Sequence, residues 1–532
     1  MQKKKLTWWI AATLVLMLFA LTGCQTIQGL DVTQAIQNNA LVQSAESKGS
    51  LRLELVPNHT SSLTAGDKAI LEVLKDVKLE LNNVSMQDKR IISVDGALTY
   101  SKGSIPFQAS LNETKFALQI EGAKKQIFFD LAKAQGGSFP TELTSSVQKQ
   151  LMDTRDVLAP ALTKFIIANA PNPKQISVSS VSEQVYSETL SLQKLHVEIK
   201  GSELVQLLKE FLTSILADEK GMKELLGQLY DVLVPIIKEQ MKASDEDEDD
   251  EFSSPFPDLM RAYLDNKTLA VEFAFTTIQQ GLQKWLKDWD TTVASAISSS
   301  KDPQAQAFLS DKTVLKTDLF VDSDKQIRKV RAELSFPITD ASTGISEVKL
   351  TYVNDIWNIN KPVKAHLITP ASDAVDLIEA KAESTSILSF FKKDSQAYSF
   401  LRNDLQVAKR EVHLLMSPSE DDNSSYDASH PYINADNVSM LPVRFITERL
   451  GAEVKWNKET KQITVTDALT EKTIILELNS QSAQVNGVAV ALDSAPVLKN
   501  GATFVPLRFI AEQLGCKIEF DNNTHSVTLT RH

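Results

Sequence analysis

Two hydrophobic periods divide the chain. Leu51, Leu53 and Leu55 alternate with Arg52 and Glu54, and Val77, Leu79 and Leu81 alternate with Lys78 and Glu80. Phe116, Leu118 and Ile120 repeat the pattern, as do Val330, Ala332, Leu334 and Phe336, then Val348, Leu350 and Tyr352. Successive side chains of a strand point to opposite faces, so a period of two with one polar set predicts antiparallel sheets wet on one side. The apolar side needs a cover, and helical spacing supplies candidates. Leu204, Leu207, Leu208, Phe211, Leu212, Ile215 and Leu216 mark a helix over 203–242, interrupted near Gly221 and Pro235. Residues 141–169 read as helical too, bent or stopped at Pro160. Leu282, Trp285, Leu286 and Trp289 fall at i, i+3, i+4 and i+7, a stripe that reads as core rather than as a membrane or ligand surface. The expected fold class is α+β, with antiparallel sheets packed on helices in the large middle region.

The C-terminal segment repeats itself. Met440–Thr466 and Phe504–Thr530 align without gaps at an offset of 64, pairing Pro442/Pro506, Arg444/Arg508, Phe445/Phe509, Ile446/Ile510, Glu448/Glu512, Leu450/Leu514 and Gly451/Gly515. In each copy Pro stands where a helix begins, at the cost of no hydrogen bond, and Gly follows the last turn. Val454 with Trp456, and Ile518 with Phe520, then alternate with polar residues as strands. Turns at 457–460 and 521–524 lead into second strands, and Asn486-Gly487 marks a hairpin between further ones. A small α+β domain made of two similar helix–hairpin units is expected.

These motifs, Leu441–Gly451 and Val505–Gly515 together with Gln484-Val485-Asn486-Gly487, resemble the domain named for the N-terminal stalk of copper amine oxidases. The resemblance implies a module that accompanies surface proteins of Gram-positive bacteria. It does not imply copper, which those oxidases hold in a catalytic domain this segment does not resemble. Histidines 59, 196, 366, 413, 430, 525 and 532 are scattered without chelating spacing, so no metal site and no cofactor is predicted. Arg444 and Arg508 recur in both copies, either pinning strand carbonyls or gripping an anionic ligand, with the structural role favoured.

The first residues have a different character. Lys3, Lys4 and Lys5 precede an apolar run from Trp8 to Ala20 and then Leu21-Thr22-Gly23-Cys24. The run is short of the ~20 residues a spanning helix needs and has the layout of an export signal. Its ending resembles the lipobox of bacterial lipoproteins, which implies that Cys24 carries lipid, palmitate among it, and becomes the mature N-terminus. The expected location is the extracytoplasmic face of the cell membrane, with the membrane as partner through Cys24.

These readings divide the chain into a signal peptide (1–23), a tether (24–48), a first α+β region (49–244), an acidic linker or loop (245–257), a second α+β region (258–370), a helical connector (371–404) and the stalk domain (405–532). The run DEDEDDE at 245–251 lacks the glycine and spaced carboxylates of a calcium loop and reads as solvated. A net charge of −12 repels phosphate backbones, which argues against nucleic acid as a partner. With Cys24 lipidated, Cys516 stands alone and reads as a small buried residue rather than a nucleophile.

Catalytic motifs are absent: no G-x-S-x-G, P-loop, G-x-G-x-x-G, C-x-x-C or H-E-x-x-H occurs, and no catalytic residue is nominated. The leading expectation is a non-enzymatic, lipid-anchored protein that binds or organises something at the cell envelope, a cell-wall polymer or an envelope protein. A lipoprotein carrier of an apolar ligand or lipid is the alternative. A cell-wall or polysaccharide hydrolase is third.

Overall fold

The computed structural model describes residues 29–58, 63–130, 158–244, 263–289, 291, 302–376, 387–407, 410–416, 431–467, 469–499, 501–521 and 526–531. The leader with Cys24, the acidic run at 245–251 and the part of the 141–169 helix before residue 158 lie outside the described residues. The chain divides into two compact units, Met1–Leu118 with Phe128–Pro370 and Gln119–Ile127 with Ala371–His532.

The first unit is built on strands β1 (Ala45–Pro57), β2 (Asp76–Asp88), β3 (Ile91–Tyr100), β4 (Gly103–Asn112), β5 (Lys115–Ile120), β6 (Ile127–Asp130), β7 (Gln175–Val185), β8 (Glu188–Lys200), β9 (Val314–Val321), β10 (Ile327–Pro337) and β11 (Ile345–Trp357). They hydrogen-bond in the order β6-β5-β4-β3-β2-β1-β11-β10-β9-β8-β7. Two meanders are thus joined by their outer strands, Leu51 lying opposite Tyr352, Leu53 opposite Leu350 and Leu55 opposite Val348. The sequence reading treats 49–244 and 258–370 as two α+β regions, whereas one sheet runs through both. Alternation marks a strand but carries no label for its partner, so the β1–β11 and β8–β9 pairings were not legible.

Opposite residues of an antiparallel pair share a face, so the register can be followed across the sheet. One row runs Ile105, Leu98, Leu79, Leu51, Tyr352, Ala332, Thr317, Val197 and Ile176. The other face carries Lys78, Arg52, Thr351, Glu333, Lys316, Glu198 and Gln175 in one row. Along these rows one side of the sheet is apolar and the other polar, although at the β7–β9 end the polar side also buries Val185, Leu192 and Phe320.

Helix α1 (Val32–Ala40) starts where Asp31 Oδ1 accepts from Gln34 N at 2.9 Å. α2 (Ala65–Leu74) is capped in the same way by Thr64. Residues 158–169 are helical. α3 (Leu204–Ala217) ends at Asp218, whose Oδ1 accepts from Gly221 N at 2.9 Å and so starts α4 (Glu219–Ser244). The break therefore falls at Asp218, where a side chain competes for backbone N–H, and α4 continues through Pro235. α5 (Lys267–Lys287) packs on α3 and α4, while α6 (Pro303–Phe308) leads into β9. Leu30, Val32, Ala35, Leu204 and Leu207 bury Leu195, Val197, Ile199 and Leu315, each full burial contributing about 1.5–3 kcal/mol. The Trp stripe is only half core: Trp289 is 2% exposed but Trp285 is 45% exposed.

The second unit contains β12 (Val375–Asp376), β13 (Arg410–Leu415), β14 (Tyr432–Ile433), β15 (Ser439–Pro442), α7 (Val443–Arg449), β16 (Glu453–Asn457), β17 (Gln462–Asp467), β18 (Lys472–Glu477), β19 (Ser482–Val485), β20 (Val488–Ala491), β21 (Val497–Lys499), β22 (Ala502–Pro506), α8 (Leu507–Gln513), β23 (Cys516–Asp521) and β24 (Ser526–Arg531). β15 and β22 are repeat equivalents, and they pair antiparallel with Leu441 opposite its own counterpart Val505. A local two-fold axis therefore passes through that pair. On either side of it lie the sheets β16-β17-β18-β19-β20 and β13-β24-β23. β13 faces Arg531 with Arg410 as β18 faces Asp467 with Lys472, so the third strand of the second half comes from upstream of the repeat. Each copy is a helix on a small antiparallel sheet, and the fold class is α+β throughout.

Candidate functional site

The apolar side of the long sheet is covered unevenly. Under α1 and α3, Leu195, Val197, Ile199 and Leu315 are buried. Along β1, β2 and β11 the same face is only half-buried at Leu53, Leu79, Leu350 and Tyr352, and Leu51 is 43% exposed. Burial still pushes the Tyr352 phenol up, as a low-dielectric setting does. α5, in the same unit, exposes Leu269, Phe273, Ile278 and Trp285.

The polar side is spent on structure. Lys329 Nζ reaches Glu183 Oε1 at 3.1 Å, Asp355 Oδ1 at 3.2 Å and the Gln184 carbonyl at 2.7 Å, while Arg331 Nη2 meets Glu183 at 2.7 Å. Tyr186 stacks on Trp357 with centroids 4.0 Å apart, and its N–H donates to Asp355 Oδ2. Two cations and two anions compensate one another, and the β7–β8 turn is clamped against β10 and β11. His196 Nδ1 lies 2.6 Å from Asp318 Oδ1 on this side too.

In the second unit a cleft of about 610 Å³ is lined by α7, β16 and the β21–β22 turn, including Arg444, Phe445, Glu448, Trp456 and Leu498. Trp456 is 40% exposed and Leu498 59%. Arg444 Nη1 lies 3.4 Å from Glu448 Oε1, both side chains in solvent, and Arg449 sits over the Phe445 ring at 3.9 Å. Arg508, on α8, is exposed as well. The arginine that pins a carbonyl is a different one: Arg531 Nη1 donates to Leu450 O at 2.6 Å and Nη2 to Asp467 Oδ2 at 2.5 Å, with both side chains buried. Asp467 and Arg531 are repeat equivalents one residue past the aligned stretch, so continuing the alignment by one position would have pointed to them. Burial pushes the Cys516 thiol up to about 11, which suits a packed residue and not a nucleophile. Among the described residues no His, Cys, Asp and Glu side chains group as metal ligands would.

Residues 421–529 match the copper amine oxidase N-terminal domain family. In those oxidases this domain is non-catalytic. β13, at Arg410–Leu415, pairs with β24 although it precedes the matched stretch, so the folded module is longer than the match. No curated protein was found to match the chain.

Proposed function

We propose that this is an exported, lipid-anchored binding protein of the cell envelope that holds an apolar ligand against the long sheet and performs no catalysis. The observation that carries this reading is the apolar face of the long sheet, buried at Ile105, Leu195, Val197, Ile199 and Leu315 but only half-buried at Leu53, Leu79, Leu350 and Tyr352 and exposed at Leu51. An acyl chain laid along β1 and β11 would remove that surface from water at about 25 cal/mol per Å². The C-terminal domain then serves as a stalk, in keeping with the non-catalytic part its relatives play in copper amine oxidases. Anchoring rests on Leu21-Thr22-Gly23-Cys24, since two acyl chains hold a protein stably where one holds it marginally.

Organic extraction and mass spectrometry of the chain purified without residues 1–24 test the ligand. The expected result is one apolar molecule per chain, lost in Leu350→Glu. An empty protein that also fails to take up a fluorescent fatty acid overturns the reading. The anchor has its own test: Cys24→Ser should move the protein from the membrane fraction to the medium.

A further inference from the structure

The two halves of the C-terminal domain have kept some exposed residues and changed others, in the cleft and away from it. Away from it, Arg449 has become Gln513, Glu453 has become Lys517 and Lys455 has become Glu519, two of these reversing charge. Arg444, Glu448 and Trp456 line the cleft; at the equivalent positions of the other half Arg508 and Glu512 are identical and Phe520 keeps the aromatic ring, while Leu498 at the cleft is matched by Asn434. The three retained pairs are exposed, Trp456 at 40% and Phe520 at 51%. Packing explains why buried Ile446 and Ile510 agree, but it cannot explain agreement at positions that touch solvent. The Arg–Glu pair does not explain it either, because an exposed i, i+4 pair in the Arg-before-Glu order contributes at most about 0.5 kcal/mol. What remains is contact with something outside the chain.

The chemistry of the retained set defines that contact. An open aromatic face offers a platform for the C–H face of a sugar ring. The guanidinium donates and the carboxylate accepts, which matches hydroxyl and acetamide groups that do both. Arg444 and Glu448 lie 3.4 Å apart and offset each other's charge, so the cleft favours an uncharged ligand. The chain's net charge of −12 opposes a polyanion as well. The volume of about 610 Å³ falls within the ~300–1,000 Å³ of ordinary ligand pockets.

We infer that each half of the C-terminal domain carries a subsite for an uncharged pyranose polymer, one centred on Trp456 and its two-fold counterpart on Phe520. Two like subsites on one domain suit a ligand that itself repeats, because the second contact becomes intramolecular once the first is made. This inference is independent of the apolar ligand proposed for the sheet.

Calorimetric titration of the full chain in detergent with chitohexaose and with cellohexaose tests it, with polygalacturonate as the anionic control. The expected result is two sites per chain for one or both neutral oligosaccharides. Trp456→Ala and Phe520→Ala should each leave one site, and the double variant should bind at least tenfold more weakly than wild type. Trp456 is 40% and Phe520 51% exposed, so each variant gives up some packing and melts lower; cooperative unfolding well above the titration temperature separates lost binding from lost fold. Failure of wild type to bind either neutral oligosaccharide overturns the proposal, as does binding of polygalacturonate alone. So does a double variant that binds like wild type.

Discussion

Asp467 and Arg531 are equivalent positions in the two repeats, and their side chains meet at 2.5 Å in the core of the second unit. A two-fold axis brings equivalents together, and two identical charged residues there would repel. The sequence resolves this by placing an acid in one copy and a base in the other. Leu469 N donates to Asp467 at 3.2 Å, Thr470 donates from its hydroxyl, and Leu450 O accepts a hydrogen bond from Arg531 Nη1. Removing one member of such a pair leaves an uncompensated buried charge and costs about 3–5 kcal/mol. Asp467→Asn should therefore lower the unfolding free energy of the second unit by that amount, read from the shift of its denaturant midpoint, and a midpoint within error of wild type would show that the pair contributes nothing. Burial pushes the Asp467 carboxyl up, but hydrogen bonds from Arg531 and Thr470 outweigh it and hold the folded value below the ordinary 3.8. A depressed acid contributes stability above its unfolded value and loses it as pH falls through the folded one. The gap between wild type and Asp467→Asn should be full at pH 5 and close progressively below about 3.8.

At the scale of elements, the repeat was the most legible feature, because each unit announces its own start and stop. Pro442 and Pro506 precede α7 and α8, and Gly451 and Gly515 follow them with φ of +85° and +69°. Asn486 and Gly487, with φ of 50° and 81°, turn β19 into β20 as the Asn-Gly pair predicts. The two C-cap glycines differ in one respect that a substitution reads out. A Cβ on Gly451 would lie 3.0 Å from Arg410 Nε, whereas one on Gly515 meets nothing within 4 Å. Gly515→Ala should cost about 1–2 kcal/mol for its left-handed backbone alone, and Gly451→Ala more, because Arg410 must also move. Equal losses in paired melts would place the strain wholly in the backbone. Less of the site could be read. Strand alternation identified Leu51, Leu79 and Leu350 as apolar-face residues but not that they stay half-exposed, since cover depends on where α1 and α3 land. Recurrence marks Arg444 with a structural role favoured over ligand binding; it lies in solvent and lines the same cleft as Trp456, and no local period separates the two roles.

For the whole first unit, the consequential fact is that β9, β10 and β11 form a block closed on both sides by strands from earlier in the chain. β8 pairs with β9 through Leu195 opposite Leu319, and β1 pairs with β11 along its length. Residues 258–370 thus supply the centre of a sheet whose flanks are encoded before residue 245. A piece holding only β9 to β11 would leave two unpaired edges and the apolar residues Leu334, Phe336 and Leu350 in water, a template for aggregation rather than a domain. A piece holding only β1 to β8 would lose the partners of β1 and β8 and half the core under α1. The loop-closure entropy of joining such distant strands grows only slowly with length, so the covalent link between them contributes little beyond local concentration. Two separate chains, residues 29–244 and residues 258–370, should therefore fold together when co-expressed, co-eluting at equal stoichiometry with the circular dichroism of the intact unit. Each expressed alone should aggregate. A soluble, monomeric, cooperatively melting 29–244 fragment would mean that the first meander is a domain in its own right and that the β1–β11 pairing docks two finished folds.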